Sequence, residues 1–541
     1  MLVPFLSKEA KPSSGHSRRE FFRRGALASA ALSLGGRVRR AFAAPLEYGV
    51  NLYRSIGVKP LINAKGTFTI ITGSQTLAEV KRAMDDASRA YVQMDELMDG
   101  VGRRLAELTG AEWGIVTAGC AAALTHCTSA CLAGSNPERM QRLPNLEGLK
   151  SEVVIPAYSR NVYDHAIRML GVKIVTVHDV SQLESAFNER TAMAYILGGP
   201  QDDGPLGTRA VAEVAKRHNV PVIVDAAAEI LTIPNVHLQR GATAVAYSGG
   251  KCIRGPQAAG LLLGEKNLLQ AAWANSAPHH AFGRSLKVGK EEIMGMLAAV
   301  EMWGKRDHQA EWKQWEGWLE TISSRVKQID GVTTSINQPS ADLSNRTPSL
   351  SIQWDGARLG ITGQELSRLL LDTEPRVVPA GARGSRPDNL ASSVSIVPYM
   401  LVPGDEKTIA ERLYALLSAP PKFENPTPPQ GEPATVAGQW EVRIEFDRGS
   451  ATHSLFLEQQ GTKLFGTHRG EFYSGDLNGT VAANTVHFRS SHPAEGTRLF
   501  YDFTGTVGGE TMAGKVNLDE YGEALWKAQK HQYRSSQRRG A

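Results

Sequence analysis

The sequence predicts an α/β domain on a mostly parallel sheet with helices on both faces, closed by a small αβ lobe and followed by a small antiparallel β-barrel or sandwich. Two observations carry this. Between Val153 and Leu263 short apolar runs, Val153-Val-Ile-Pro, Lys173-Ile-Val-Thr-Val, Ala192-Met-Ala-Tyr-Ile-Leu and Val222-Ile-Val-Asp, alternate with amphipathic stretches such as residues 209–218, the signature of βα units. Beyond Ala419 a proline-dense stretch gives way to alternating runs separated by turn residues, among them Gln439-Trp-Glu-Val-Arg-Ile-Glu-Phe and Leu499-Phe-Tyr-Asp-Phe-Thr. They read as roughly seven or eight short strands of a meander.

The segments follow in order. Residues 1–43 read as a twin-arginine signal peptide: Ser17-Arg18-Arg19-Glu20-Phe21-Phe22-Arg23 precedes a modestly apolar stretch, Gly25 to Gly36, and the small-residue cleavage pattern Ala41-Phe42-Ala43. Such a leader predicts passage through the twin-arginine translocase to the periplasm or the exterior. Its apolar stretch is too short for a membrane span, and no later run reaches about 18 apolar residues, so no stable span is expected. Residues 44–300 are expected to form the large domain with an N-terminal arm. Residues 301–418 would supply a linking helix and the small αβ domain, with Trp303, Trp312, Trp315 and Trp318 packing the joint. A proline-rich linker (419–437), the β-barrel-like domain (438–530) and a basic, disordered tail (531–541) complete the chain. The 60 Lys and Arg against 55 Asp and Glu leave a net charge of +5, much of it in the leader and the tail, so nucleic acid is not an expected partner. The four cysteines, Cys120, Cys127, Cys131 and Cys252, lack zinc-like spacing, so no metal is expected.

Three stretches carry chemistry. Val222-Ile-Val-Asp225 reads as a buried parallel strand that delivers a carboxylate at its C-terminal end, where α/β sheets bind ligands. A second run, Ala244-Val-Ala-Tyr-Ser248, leads into Gly249-Gly-Lys251-Cys-Ile-Arg254-Gly-Pro, an amine among glycines that let a flat ring approach. Upstream, Trp113-Gly-Ile-Val-Thr117-Ala-Gly119-Cys120-Ala121 is a strand that turns into an Ala-rich helix, whose free N–H groups suit a phosphate. Alone, each is ordinarily a cap, a solvated loop or a tight turn. Together they supply the amine, the partner for a ring nitrogen and the phosphate cup of a pyridoxal phosphate site. Ser248 and Arg254 complete the cup, Arg254 by charge-assisted bonds.

With these motifs, Pro60-Leu-Ile-Asn63-Ala-Lys-Gly66-Thr67, Leu105-Ala-Glu-Leu-Thr-Gly-Ala-Glu112, Arg160-Asn-Val-Tyr-Asp-His165-Ala-Ile-Arg and Ser248-Gly-Gly-Lys251-Cys-Ile-Arg254-Gly-Pro-Gln257, the stretch from about Leu46 to Leu417 resembles the selenocysteine synthase-like family of fold type I pyridoxal phosphate enzymes. That family includes L-seryl-tRNA(Sec) selenium transferase and D-glucosaminate-6-phosphate ammonia-lyase. The resemblance implies pyridoxal 5′-phosphate as cofactor, Lys251 as its aldimine lysine, Asp225 on the ring nitrogen and Gly119, Cys120 and Ala121 on the phosphate. It makes His165 either a ring-stacking residue or a satisfied core histidine, sets Asn63 and Thr67 near the substrate, and offers Arg383 or Arg376 for a substrate carboxylate. It further implies a homodimer or larger homo-oligomer and a small-molecule amino substrate. The activity expected from it is α,β-elimination on an amino acid or amino sugar acid. Selenium transfer, transamination, racemisation and a non-catalytic binding scaffold are the alternatives. The C-terminal module resembles small lipocalin-like accessory domains of secreted enzymes.

Overall fold

A computed structural model describes residues 45–532 apart from Pro426 and Pro428. The expected signal peptide and residues 533–541 of the basic tail lie outside the described residues. The described residues fall into two compact units, residues 45–60 and 61–532. The first holds two single-turn helices, Gly49–Asn51 and Arg54–Ile56.

The second unit opens with β1 (Ile62–Ala64), α1 (Ala78–Ser88) and α2 (Met94–Thr109). Next come β2 (Trp113–Thr117), α3 (Gly119–Ala133), β3 (Glu152–Pro156), β4 (Lys173–Val177), β5 (Thr191–Leu197), β6 (Val222–Asp225), β7 (Ala244–Ser248) and β8 (Gly260–Gly264). These seven strands form one sheet in the order β2-β8-β7-β6-β5-β3-β4. The pairs from β7 through β4 are parallel, whereas β8 runs antiparallel to both β7 and β2. Six of the seven strands therefore point the same way, as the sequence suggested, and only β8, next to the β2 edge, is reversed. Strands β2, β3, β6 and β8 are buried at every position, which is why their sequences are continuous apolar runs rather than alternating ones. Helix α3, built from Ala, Cys, Thr and Leu, is buried almost all round and packs against β8.

Helices α4 (Lys290–Lys305) and α5 (His308–Val326) link this domain to a small lobe. The lobe contains β9 (Thr333–Asn337), β10 (Ser349–Asp355), α6 (Gly363–Asp372), β11 (Val377–Pro379), β12 (Gly381–Ser385), β13 (Asn389–Ile396) and α7 (Asp405–Ser418). Its antiparallel sheet, β12-β13-β10-β9, has its own core of Leu319, Ile322, Leu350, Ile352, Val394, Ile409 and Leu413. Strand β1 pairs in parallel with β11, so the Asn63 segment is stitched to the small lobe.

The C-terminal module is a closed barrel of eight antiparallel strands, β14 (Gly438–Glu445), β15 (Ser450–Gln460), β16 (Lys463–Arg469), β17 (Ser474–Ala482), β18 (Thr485–Ala494), β19 (Thr497–Gly508), β20 (Thr511–Asn517) and β21 (Glu523–Lys530). Each strand pairs with the next, and β21 returns to β14. Closure leaves no open edge. The alternation seen in the sequence turns Trp440, Phe488, Phe503 and Trp526 inward, with Phe488 and Phe503 stacked at 4.8 Å. The proline-rich connection is anchored where it enters the barrel: Val436 is buried in the barrel core, and its N–H donates to Gln459. Among the described residues no helix is long and apolar enough to cross a membrane.

Candidate active site

Strand order decides which side chains meet. Asp225 ends β6 and is 3% exposed. One carboxylate oxygen accepts the Ala227 N–H at 3.0 Å and lies 3.5 Å from the Cys120 thiol; the other accepts the Tyr195 hydroxyl at 3.0 Å. Tyr195 projects from the neighbouring β5, and its oxygen in turn accepts the Asn161 amide at 3.0 Å. Burial, reinforced by the Asp225 charge, pushes both the Tyr195 phenol and the Cys120 thiol well above their usual ranges. Both therefore act as neutral donors. A carboxylate has about four acceptor positions, so beside these donors Asp225 has room for one more, such as a protonated pyridine nitrogen.

The phosphate cup follows from register. Thr117 at the end of β2 and Ser248 at the end of β7 both pair with Gly260 of β8, which places the start of α3 next to the lysine loop. Gly260 is required there, because a Cβ on it would sit 2.4 Å from the Gly119 carbonyl carbon. Gly119 turns the chain at φ 85°, a left-handed conformation suited to glycine. The helix cap, Ala118, offers no side-chain acceptor, so the first amides of α3, at Gly119, Cys120 and Ala121, are available to an anion.

Lys251 is half-buried in the loop after Ser248. Residues 73–77 run along this loop: Ser74 N–H donates to the Gly250 carbonyl at 2.9 Å, Leu77 N–H donates to the Arg254 carbonyl at 3.2 Å, and Arg254 Nε donates to the Gln75 carbonyl at 2.9 Å. The Ser74 hydroxyl is buried and has no hydrogen-bond partner, an orphan that a bound phosphate or substrate oxygen would satisfy. Amine, ring partner, uncapped helix start and orphaned hydroxyl together fit pyridoxal phosphate.

The remaining residues singled out from sequence are distributed differently. Arg254 reaches Gln75 and lines a cavity of about 240 Å³ with Trp303, Arg306, Trp312, Trp315 and Tyr399; no hydrogen bond joins it to the Gly119 turn. Those three tryptophans line a cavity that residues of the large domain and the small lobe share, Trp303 also packing on the large-domain core, while Trp318 packs on the small-lobe core. Asn63 spends its side chain on its own turn, accepting from Lys65 N–H and Gly66 N–H and donating to the Gly66 carbonyl. Thr67 meets the hydroxyl of Tyr399 through both its N–H and its Oγ1, each at 3.0 Å, so it borders the tryptophan-walled cavity. His165 begins the short helix His165–Arg168 and is exposed. Arg383 lies on β12, lining a groove with Gln353 and Ser393 on the small-lobe sheet and apart from the lysine loop. Sequence reasoning missed Tyr195, Asn161, Ser74 and Tyr399. The one local signal was a tyrosine inside the otherwise aliphatic run of β5.

No family model matches the chain. It is 29% identical over 331 residues to D-glucosaminate-6-phosphate ammonia lyase of Salmonella typhimurium, which spans 59% of this chain and 86% of that enzyme. A solved structure of D-glucosaminate-6-phosphate ammonia-lyase superposes with a TM-score of 0.60 at 27% identity, over 68% of this chain and 99% of that one. This chain is homologous to that ammonia-lyase and shares its fold. The architecture is fold type I. Two other relatives are 5′-C-glycyluridine monooxygenase-decarboxylase of a Streptomyces species, 29% identical over 391 residues (68% of this chain, 92% of that protein), and L-seryl-tRNA(Sec) selenium transferase of Proteus mirabilis, 25% identical over 302 residues (48% and 60%).

Proposed function

We propose that the protein is a lyase that eliminates a β-substituent from an amino acid or amino sugar acid and releases ammonia. The observation that carries this reading is Lys251 on the loop beside a buried Asp225 whose carboxylate is held by Tyr195, in a chain homologous to an ammonia lyase. When bound, the cofactor supplies an electron sink for a carbanion at the substrate's α-carbon. Asp225 would accept the ring N–H, and Tyr195 and the Ala227 N–H orient that carboxylate. The first amides of α3 would hold the phosphate, and the Ser74 hydroxyl beside the lysine loop is free to bind the cofactor or substrate. Lys251 Nζ, the amine that would hold the cofactor, would serve as the base for the substrate's α-proton, and the free enamine that elimination leaves would be hydrolysed by water to a keto product and ammonia. The tryptophan-walled cavity next to Cys252 and Arg254 is the space open to the rest of the substrate.

The same reading places the enzyme outside the cytoplasm, on the strength of the Ser17–Arg23 and Ala41–Ala43 patterns, and as a homo-oligomer, on the strength of the family resemblance. The test is ammonia and keto-acid release from a panel of amino sugar acids and β-substituted amino acids. Release with one class, lost in Lys251→Ala, supports elimination. Cofactor binding with no release from any member overturns it, and selenide-dependent modification of seryl-tRNA would move the assignment to the transferase reading.

A further inference from the structure

The barrel touches the wall of the catalytic site. Its β18–β19 hairpin turns at Glu495-Gly496, with Ala494 paired to Thr497, and the tip presses on the loop that carries Asn161. A Cβ on Gly496 would lie 2.1 Å from the Asn161 carbonyl oxygen and 2.7 Å from an Asp164 carboxylate oxygen, so the contact is backbone against backbone and admits only glycine. Next to it Arg160, with its side chain 17% exposed, is held at three points: Nε on Asp164 at 2.6 Å, Nη1 on Thr176 Oγ1 at 3.2 Å and Nη2 on Glu495 at 2.8 Å. The charges explain why the barrel supplies a glutamate. Asp164 is fully buried and also binds Arg168 at 2.7 Å, so two guanidinium groups share one carboxylate, and Glu495 neutralises the cation left over.

From this lock the path to the chemistry is short. Asn161 follows Arg160 directly. Its Oδ1 accepts the Tyr163 N–H at 2.7 Å, while its Nδ2 donates to the Ser159 carbonyl at 2.8 Å and to the Tyr195 oxygen. With Asn161 donating to that oxygen, the Tyr195 proton is directed to Asp225. We propose that Glu495 and Gly496 make the barrel a wall of the active site: Glu495 is a positioning residue that, through Arg160, fixes Asn161 and so the Tyr195–Asp225 bond. The inference rests on the reading of Asp225 as the partner of the cofactor's ring nitrogen.

The test uses the full chain loaded with pyridoxal phosphate, in wild-type, Glu495→Ala, Glu495→Asp and Gly496→Ala forms. Three properties are read: cofactor dissociation constant, pH midpoint of the visible cofactor band, and hydrogen exchange of residues 160–168 in the cofactor-free protein. Glu495→Ala is expected to weaken cofactor binding by roughly two- to thirtyfold, the span of couplings relayed through intermediate residues, to displace the midpoint by roughly half a unit, and to speed exchange across the loop. Glu495→Asp should recover part of each. Gly496→Ala, which changes no charge, should reproduce the loss and covers the case in which Glu495→Ala fails to fold. Wild-type affinity, midpoint and exchange in both alanine variants would overturn the proposal and leave the barrel a passive appendage. A wild-type protein that binds no cofactor would instead overturn the reading of Asp225 itself.

Discussion

The large domain and the barrel bury polar side chains in opposite ways. In the large domain Asp225, Tyr195, Asn161 and Lys251 gather at the C-terminal ends of strands, and an acceptor position on Asp225 and the Ser74 hydroxyl remain open. In the barrel His453, His468, Ser490 and His492 answer one another: His453 Nδ1 lies 2.8 Å from His468 Nε2, and His468 Nδ1 lies 2.6 Å from Ser490 Oγ. The His468 and His492 rings meet at 4.4 Å, and among the described residues no group of three or more His, Cys, Asp or Glu is arranged for a metal. An unfinished polar cluster is what a ligand completes, whereas a finished one fixes a wall. The barrel's function thus lies in what it holds in place.

Four changes sharpen that contrast. The largest effect belongs to Asp225→Asn, which keeps the shape and removes the charge that holds the ring proton: turnover should fall on the order of a thousandfold or more with little change in melting temperature, checked by steady-state kinetics and calorimetry. A fall in stability equal to the fall in rate would make Asp225 a structural group. Trp526→Ala empties the centre of the barrel, where the indole is 1% exposed and donates to the carbonyls of Thr504 and Lys515. It should cost about 3–5 kcal/mol by denaturant titration while the Lys251 chemistry survives in whatever fraction stays folded.

Acid and base should separate the two regions. Burial depresses His492 to about 4 and His468 to about 2, so these rings stay neutral in the fold while an unfolded chain takes up protons from about pH 6.5 downward. Their contribution is therefore present above 6.5 and lost as pH falls toward 4. His237 in the large domain is opposite in sign. It is desolvated yet lies 3.0 Å from Asp202 and 2.5 Å from Glu229, and these carboxylates raise it to about 9. Its contribution is present below 6.5 and lost as pH rises through 9. Buried His126 in the large domain is likewise depressed to about 4, so melting should show acid destabilisation in both regions, steeper in the barrel with its two such rings, and His237→Gln should flatten only the alkaline limb. Tyr195→Phe has the smallest expected effect, roughly tenfold in rate, through loss of one hydrogen bond to Asp225.

The same contrast explains what could be read from the sequence. Each element of the cofactor site that rides on its own strand end was legible locally, since an aliphatic run that stops at Asp225, or a Gly turn into an Ala-rich helix at Gly119, carries its chemistry in a few consecutive residues. The barrel was legible too, through alternation. Tyr195 and Asn161 were not, because their meeting with Asp225 depends on β5 lying beside β6, a neighbour relation that no local pattern encodes. Arg254 was assigned to the phosphate from its place in the lysine loop; it adopts a positive φ of 58°, donates to the Gln75 carbonyl and lines the tryptophan-walled cavity. The Glu495-Gly496 tip reads like any hairpin turn, and its importance lies entirely in what it touches.

The central claim is that Lys251 carries pyridoxal phosphate opposite Asp225. The most direct measurement is borohydride reduction of the cofactor-loaded protein followed by peptide mass analysis. The account predicts one cofactor adduct, on Lys251, absent from Lys251→Ala. An adduct on another lysine, or none in the wild-type chain, would contradict it.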